Sequence, residues 1–369
     1  MNAPQLANTL KRAISFDNSG APFEAEQLYR QLVNRRPPVD MAHFMYAQFL
    51  LRQRRYDEAW PHFMHRLNDT VYQSKPQAQL NAPCWEDIDQ PGLSEKTLLV
   101  GCDQGIGDAL MCARFIPETA RLFKAVVFMV FKGFRDLFIS LEELPNVRVI
   151  EFEQSLQAFD LYIDVFSLPA IFKTTPDTIP PGKWMIPNPE RVEKWRQELD
   201  PTRLNVGITW QGNSQHSRDA ERSAPLDAFL PVLRCDVNWI SLQVGEGLEQ
   251  IDALPSNVSL KTYESLTTQI DRANGKMLES AALIKNLDLV IAVDTAVAHL
   301  AGSLGTPCWV LLPKVPCWRW MIDGELSDWY ETTRLFRAIE RYDRTYPVSC
   351  MHERLLDIIA QDDANASLP

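Results

Sequence analysis

Four stretches carry residues whose types and spacing can do chemistry. The first reads Leu-Leu-Val-Gly-Cys-Asp-Gln-Gly-Ile-Gly-Asp over 98–108. An apolar strand runs into a glycine-rich turn and then a helix over 109–115. Gly105 and Gly107 allow positive φ and close approach of a ligand to the backbone. Gln104 lies in the same turn. Asp108 stands at the helix mouth, either as a base facing a cleft or as a plain N-cap. The second stretch is a strand ending at Trp210 and followed by Gln211, Gly212 and Asn213. Its loop holds His216, Arg218, Asp219, Glu221 and Arg222. Arg222 is suited to bidentate pairing with phosphate oxygens, unless the run is only a solvated loop. The third covers 288–307. An apolar strand ends at Asp294, and Thr295 and Ala296 open a helix that stops at Gly305, with Pro307 beyond it. Free N–H groups and the helix dipole at such a start favour a phosphate. His299 lies on the first turns, as a ligand contact or as a satisfied semi-buried histidine. In the fourth, Trp318 and Trp320 flank Arg319, which makes either a stacking wall with a cationic centre or two core aromatics.

These stretches need strands that aim them. Short apolar runs at 97–102, 125–130, 147–152 and 161–165 alternate with helical segments. A second series follows at 205–210, 239–243, 258–261, 288–293, 308–312 and 334–336. Helices are expected at 191–199, 278–286, 295–304 and 352–360. Alternation of this kind means parallel sheets covered by helices, with ligands at the carboxyl ends of the strands. The proline-rich segment 166–189 divides the two series. The expected organisation is a helical unit over 1–70, a connector over 71–96, two doubly wound α/β domains over 97–189 and 190–345, and a C-terminal helix and tail over 346–369.

Residues 1–70 show a repeat. Ala13, Phe16, Ala25, Tyr29 and Pro37 stand 34 residues before Ala47, Leu50, Ala59, Phe63 and Val71; four of the five pairs keep their small or large apolar character, and the proline does not recur. A 34-residue period with small residues at helix crossings is the tetratricopeptide pattern. Two such repeats are too few to stand alone, so the unit is expected to pack on the rest of the chain or on another copy. A homo-oligomer stays open on this count.

The net charge is −11, which argues against nucleic-acid binding. Residues 1–75 hold ten basic and seven acidic side chains, an ordinary solvated balance. The seven cysteines show no C-x-x-C spacing, so neither a disulfide framework nor a zinc ribbon is expected. Residues 1–16 hold no signal-type apolar run, and the run 125–131 is far shorter than a membrane span. The expectation is a cytoplasmic protein without a transmembrane segment.

Taken together, DQGIGD, WQGN with the following His and Arg-Ser, DLVIAVDTAVAHLAGSLGTPCWVLLP and PCWRW resemble a known group. These are bacterial tetratricopeptide-containing glycosyltransferase-like proteins, several of them regarded as flagellin glycosyltransferases. They are related to the ADP-heptose:lipopolysaccharide heptosyltransferases and distantly to protein O-linked N-acetylglucosamine transferases. The resemblance spans nearly the whole chain. It implies a GT-B fold of two Rossmann-like domains, with the acceptor on the first and a nucleotide-sugar on the second. Asp108 matches the general base. Trp210, Gly212, Asn213, Arg222, Asp294, Thr295, Ala296, His299, Trp318 and Arg319 fall in the donor pocket. Ala296 replaces the usual glycine there. Met111 and Cys112 stand where heptosyltransferases often carry a histidine. The implied co-substrate is a nucleotide-sugar, with no resident cofactor or metal; no D-x-D triplet stands in these motifs. Residues 1–70 would recruit a protein acceptor. Two other functions fit the pattern: an inactive scaffold binding a protein partner, and a sugar-nucleotide epimerase that converts donor without acceptor.

Overall fold

The computed structural model describes residues 2–68, 72, 82–152, 158–263 and 276–366. Val71 of the expected repeat and residues 73–81 of the connector lie outside the described residues.

Four helices open the chain: α1 (Ala3–Asn18), α2 (Pro22–Val33), α3 (Asp40–Arg52) and α4 (Tyr56–Phe63). The Asn2 side chain caps α1, accepting from Gln5 N at 3.0 Å, while Gln5 Oε1 accepts from Asn2 N at 2.9 Å. This reciprocal pair satisfies two donors that a helix start leaves open. Ala13, Ala25, Ala47 and Ala59 are all fully buried. Tyr29 packs on Tyr46 and Phe49, and Phe63 on Phe44 and Trp60.

Two all-parallel sheets follow. The first has the order β3-β2-β1-β4, from β1 (Thr97–Gly101), β2 (Ala125–Val130), β3 (Val147–Glu151) and β4 (Leu161–Asp164). The second has the order β6-β5-β7-β8-β9, from β5 (Asn205–Thr209), β6 (Asn238–Ser241), β7 (Leu289–Val293), β8 (Cys308–Leu312) and β9 (Thr333–Arg337). Every residue of β5, β7 and β8 is buried, as strands covered by helices on both faces require. The strand order reverses beside β1 in one sheet and beside β5 in the other. Crevices open at the carboxyl ends of strands at such reversals.

Two expected elements differ. The run 258–261 is not a strand: only Lys261 bridges Ile240, its N–H donating to Trp239 O at 2.9 Å. One bridge on the edge strand β6 satisfies the backbone there, and the ladder stops. The helix expected at 352–360 is Thr345–Ala366, and Val348, Met351 and Leu355 bury it against the second sheet's core. It covers the second domain rather than trailing from it.

The helical unit is bonded to both sheet domains. On the first, Trp60 Nε1 donates to Thr174 O at 2.6 Å, and buried Arg66 pairs with Asp103 at 2.9 Å and with Asp164. On the second, Arg52 Nη1 donates to Pro316 O at 3.1 Å, Ile322 N to Arg52 O at 2.9 Å, and Arg54 Nε to Asp328 at 2.9 Å. Trp318 fills the seam, with its ring against Trp60, Phe63, Phe166 and Trp329. Among the described residues no helix is long and apolar enough to cross a membrane. All seven cysteines are free thiols.

Candidate active site

The carboxyl ends of β1, β5 and β7 open into one cleft of about 1380 Å³. Gln104, Gly105, Gly107, Asp108, Gly212, Asn213, Arg222, Asp294, Thr295, Ala296, His299 and Arg319 all line it. Trp210 and Trp318 do not. Trp210 is fully buried in the second domain's core, and Trp318 is 1% exposed in the seam under the helical unit. Neither side chain reaches a donor, so Trp210 and Trp318 leave the expected donor pocket; Trp320, the other half of the stacking wall expected with Trp318, is fully buried as well and does not line the cleft.

On the first domain, Gly105 is the N-cap of the helix Ile106–Cys112, which starts three residues before the expected 109. Asp108 is its third residue, and Oδ2 accepts from Gly105 N at 3.0 Å. The other carboxylate oxygen pairs with Arg319 of the second domain. Neither Gly105 nor Gly107 has the expected positive φ. Gly107 is needed for closeness instead: a Cβ there would lie 2.9 Å from His299 Cδ2. The start of one helix thus rests on the histidine of the facing one.

On the second domain, Arg222 lies flat on Gly212, where a Cβ would fall 2.5 Å from its Nη2. Its Nε donates to Asp219 at 3.1 Å, Nη1 to Asp294 O and Nη2 to Asn213 O, each at 3.3 Å. Two backbone carbonyls and one carboxylate therefore aim the guanidinium at the cleft. Thr295 is the N-cap of Ala296–Leu304, and Ala296 and Val297 of the first turn line the cleft. The first N–H groups of a helix have no acceptor within it. Thr295 Oγ1 is buried and has no hydrogen-bond partner among the described residues. An anion seated here would satisfy these donors together.

Aromatic groups hold the charged ones in place. Trp320 Nε1 donates to Asp294 Oδ1 at 2.8 Å, and its ring stacks on His299 at 5.0 Å. His299 Nδ1 sits 2.9 Å from the Tyr330 hydroxyl. Burial, with the Arg319 and Arg114 guanidiniums nearby, holds His299 well below the usual histidine range, so it is neutral at pH 7. Arg319 rests on the rings of Trp318 and Phe166, and its Nη1 donates to Cys317 Sγ at 2.7 Å. Burial alone would lower its pKa, but the Asp108 carboxylate, with Cys317 and Asp294 adding to it, raises it overall.

Two kinds of cleft residue escaped the sequence. Gln243 Oε1 accepts from Thr209 Oγ1, Trp210 N and Gln211 N, and Nε2 donates to Gln211 O and Glu246 O. It clamps the loop that carries Gly212, but a glutamine after a short strand has no distinguishing pattern. Ile14, Asn18, Met45 and Gln48 of the helical unit also line the cleft, and no local signal says which helix face meets a distant domain. No group of three His, Cys, Asp or Glu among the described residues is arranged to hold a metal ion. The chain does contain a D-x-D triplet, Asp87–Asp89 in the connector, and neither carboxylate lines the cleft.

No protein-family model matches the chain. Protein FlbA of Caulobacter vibrioides is 25% identical over 331 residues, covering 83% of this chain and 53% of its own length. The chain thus spans about half the length of the curated relative it matches. Among solved structures, E. coli ADP-heptose lipopolysaccharide heptosyltransferase II superposes with a TM-score of 0.51 at 13% identity, over 72% of this chain and 99% of that one. The family 9 glycosyl transferase of Veillonella parvula reaches a TM-score of 0.46 at 12% identity, over 67% and 87%. At 13% identity the heptosyltransferase II likeness establishes a shared fold, paired parallel α/β domains.

Proposed function

We propose that the chain is a glycosyltransferase that moves a sugar from a nucleotide-sugar to a hydroxyl group of a protein or glycan acceptor, without a metal. One observation carries this. On the second domain, Arg222, the Thr295 hydroxyl, unpartnered among the described residues, and the start of Ala296–Leu304 stand where they would hold an anion. They share a single cleft with a carboxylate on the first domain, Asp108. The departing nucleotide diphosphate carries the charge that develops as the sugar–phosphate bond breaks. Arg222 and the helix N–H groups would stabilise it. Asp108 would take the proton from the acceptor hydroxyl as its oxygen bonds to the sugar carbon. Trp320 and Tyr330 would keep Asp294 and His299 oriented beside the phosphates.

One observation favours the scaffold alternative. Both oxygens of Asp108 are engaged, one by Gly105 N and one by Arg319. A base role requires Arg319 to turn away, and the arriving donor phosphates are the natural partner for it.

A thermal-shift screen against ADP-, UDP-, GDP-, dTDP- and CMP-sugars tests the proposal. ADP-heptose heads the panel because the shared fold is that of an ADP-heptose enzyme. A ligand at a hundredfold its Kd adds about 2.7 kcal/mol, a few degrees in Tm. One hit that disappears in Arg222→Ala is the expected result. A flat panel at millimolar ligand overturns the transferase in favour of the scaffold.

A further inference from the structure

We infer that Arg114 and Tyr330 are positioning residues that fix the ring of His299 as a hydrogen-bond donor through Nε2, aimed at an oxygen of the nucleotide-sugar. The ligand in this inference rests on the transferase reading; the arrangement of the three side chains does not.

Arg114 has no evident task elsewhere. It is 2% exposed, yet it forms no ion pair among the described residues. Its Nε donates to Met111 O at 2.8 Å, and its Nη1 donates to Pro180 O at 3.3 Å and to Trp329 O. Backbone carbonyls satisfy its hydrogens, but its charge stays uncompensated in the interior, which is costly. That charge acts on Tyr330. The guanidinium carbon lies 4.6 Å from the centre of the phenol ring. A cation on a ring face draws on its electrons, which strengthens the hydroxyl as a donor.

Tyr330 passes the effect to His299, whose Nδ1 lies 2.9 Å from the phenol oxygen. Arg114 and the Ser303 hydroxyl also face that oxygen. A guanidinium cannot accept a hydrogen bond. Ser303 gives its own hydrogen to Leu110 O at 3.2 Å. Of the two acceptors left, the imidazole nitrogen is far more basic than a hydroxyl. The phenol proton therefore points at Nδ1, and the single proton of a neutral imidazole then sits on Nε2. The charged groups that bear on this ring are Arg319 and Arg114, and both oppose a second proton, as burial does first.

Nε2 stands where a donor is useful. A Cβ built on Gly107 would lie 2.9 Å from His299 Cδ2, 3.6 Å from Ala296 Cα and 3.7 Å from His299 Nε2. This edge of the ring lies between the helix start that carries Asp108 and the one proposed to hold the phosphates. An N–H there can donate to a phosphate or sugar oxygen. The other tautomer would turn a lone pair on it. No proton changes hands, because a neutral imidazole N–H gives a hydrogen bond and keeps its hydrogen.

The test uses the full chain with isotope-labelled histidine and a nitrogen–proton correlation spectrum at pH 7.5 without ligand. The signals missing in His299→Gln identify the residue. A protonated Nε2 and a bare Nδ1 are expected. Tyr330→Phe keeps the ring under Arg114 and removes the hydroxyl. A population with Nδ1–H should then appear. Affinity for the sugar nucleotide that scores in the thermal-shift panel should fall about tenfold or more, the scale of one lost charge-assisted hydrogen bond. In Arg114→Met the same population should appear, and His299 should take up its second proton at a higher pH than in the unaltered protein. Should that variant lose its cooperative melt, Arg114→Gln, which keeps a donor for the carbonyls and drops the charge, takes its place. Ser303→Ala should leave the pattern alone. Nδ1–H or an imidazolium in the unaltered protein overturns the inference. So does a pattern indifferent to Tyr330 and Arg114, or one set by Ser303. The spectrum needs no ligand, so a flat nucleotide panel with the expected tautomer sinks the transferase alone. A nucleotide hit with the Nδ1–H form sinks this inference alone.

Discussion

In the proposed transfer Asp108 and Arg222 do opposite jobs, and single substitutions separate them. Asp108 is held by Gly105 N and Arg319. Asp108→Asn keeps the shape and the cap but removes the proposed base. Sugar transfer should fall by about 10²- to 10⁴-fold while nucleotide affinity holds, as single-turnover transfer and calorimetric titration would show. Unchanged transfer would remove Asp108 from the mechanism. Gly212→Ala tests the other side without touching a charge. Its φ is not positive, so alanine strains no backbone. The new Cβ would lie 2.5 Å from Arg222 Nη2, and the guanidinium must move. Nucleotide affinity should drop roughly tenfold or more, the scale of a lost charge-assisted hydrogen bond, with little change in unliganded Tm. Much of this site was legible in the sequence. Asp108, Arg222 and Asp294 to His299 each follow an apolar strand, and a parallel sheet can only place such loops at one end. The tryptophans were not legible. Residue type marks Trp318 and Trp320 as able to stack, but which way a ring faces depends on what packs over it: the helical unit covers Trp318, and His299 and Tyr330 pack on Trp320.

At the scale of elements, three histidines meet between α3 and the end of α4. His43 Nδ1 lies 2.8 Å from His62 Nδ1, its ring stacks on His65 at 3.8 Å, and His65 Nδ1 pairs with Asp40 at 2.7 Å. Burial, reinforced by His65 and then His62, holds His43 down to about 4. His62 is lowered for the same reasons, burial first. An unfolded chain binds these protons near pH 6.5, while the folded one refuses them. Stability is therefore intact above that value and is lost as pH falls from 6.5 toward 4. The slope is at most roughly 1.4 kcal/mol per pH unit for each proton withheld. His43→Phe keeps the ring packing and should flatten the slope in urea melts at pH 7.5, 6.0 and 5.0. An equal slope in both proteins would show that the cluster is not the source. The helices themselves were readable from the spacing of alanines and aromatics. The run 258–261 was not, because apolar alternation on a sheet edge reads alike whether the ladder forms one bridge or four.

Across the whole molecule, the resemblance implies recruitment for the first 70 residues, while their two repeats are too few to stand alone and must pack on the rest of the chain or on another copy. The contacts put them on the chain itself. Arg66 is 3% exposed and pairs with Asp103 and Asp164, whose side chains are fully buried. Burial pushes the Asp164 carboxyl up, against the pull of Arg66. Asp103 directly precedes Gln104 and follows β1, so this pairing also fixes the glycine turn that leads to Asp108. Such long-range pairs leave no local trace, which is why the unit's place in the site was not foreseeable. Arg66→Met strands two buried carboxylates and should cost about 3–5 kcal/mol in urea unfolding. Removing residues 2–68 goes further. It uncovers Trp318 and Phe166, which now pack on Trp60 and Phe63, and takes away the partners of Thr174, Pro316 and Asp328. A dispensable recruitment arm predicts a truncated chain that is monomeric, melts cooperatively and still responds to nucleotide. A helical unit bonded to both domains predicts aggregation or loss of the cooperative transition. Size-exclusion chromatography and a melting curve of that truncation decide between the two, and a well-behaved, nucleotide-responsive product would refute an integral role for the helices.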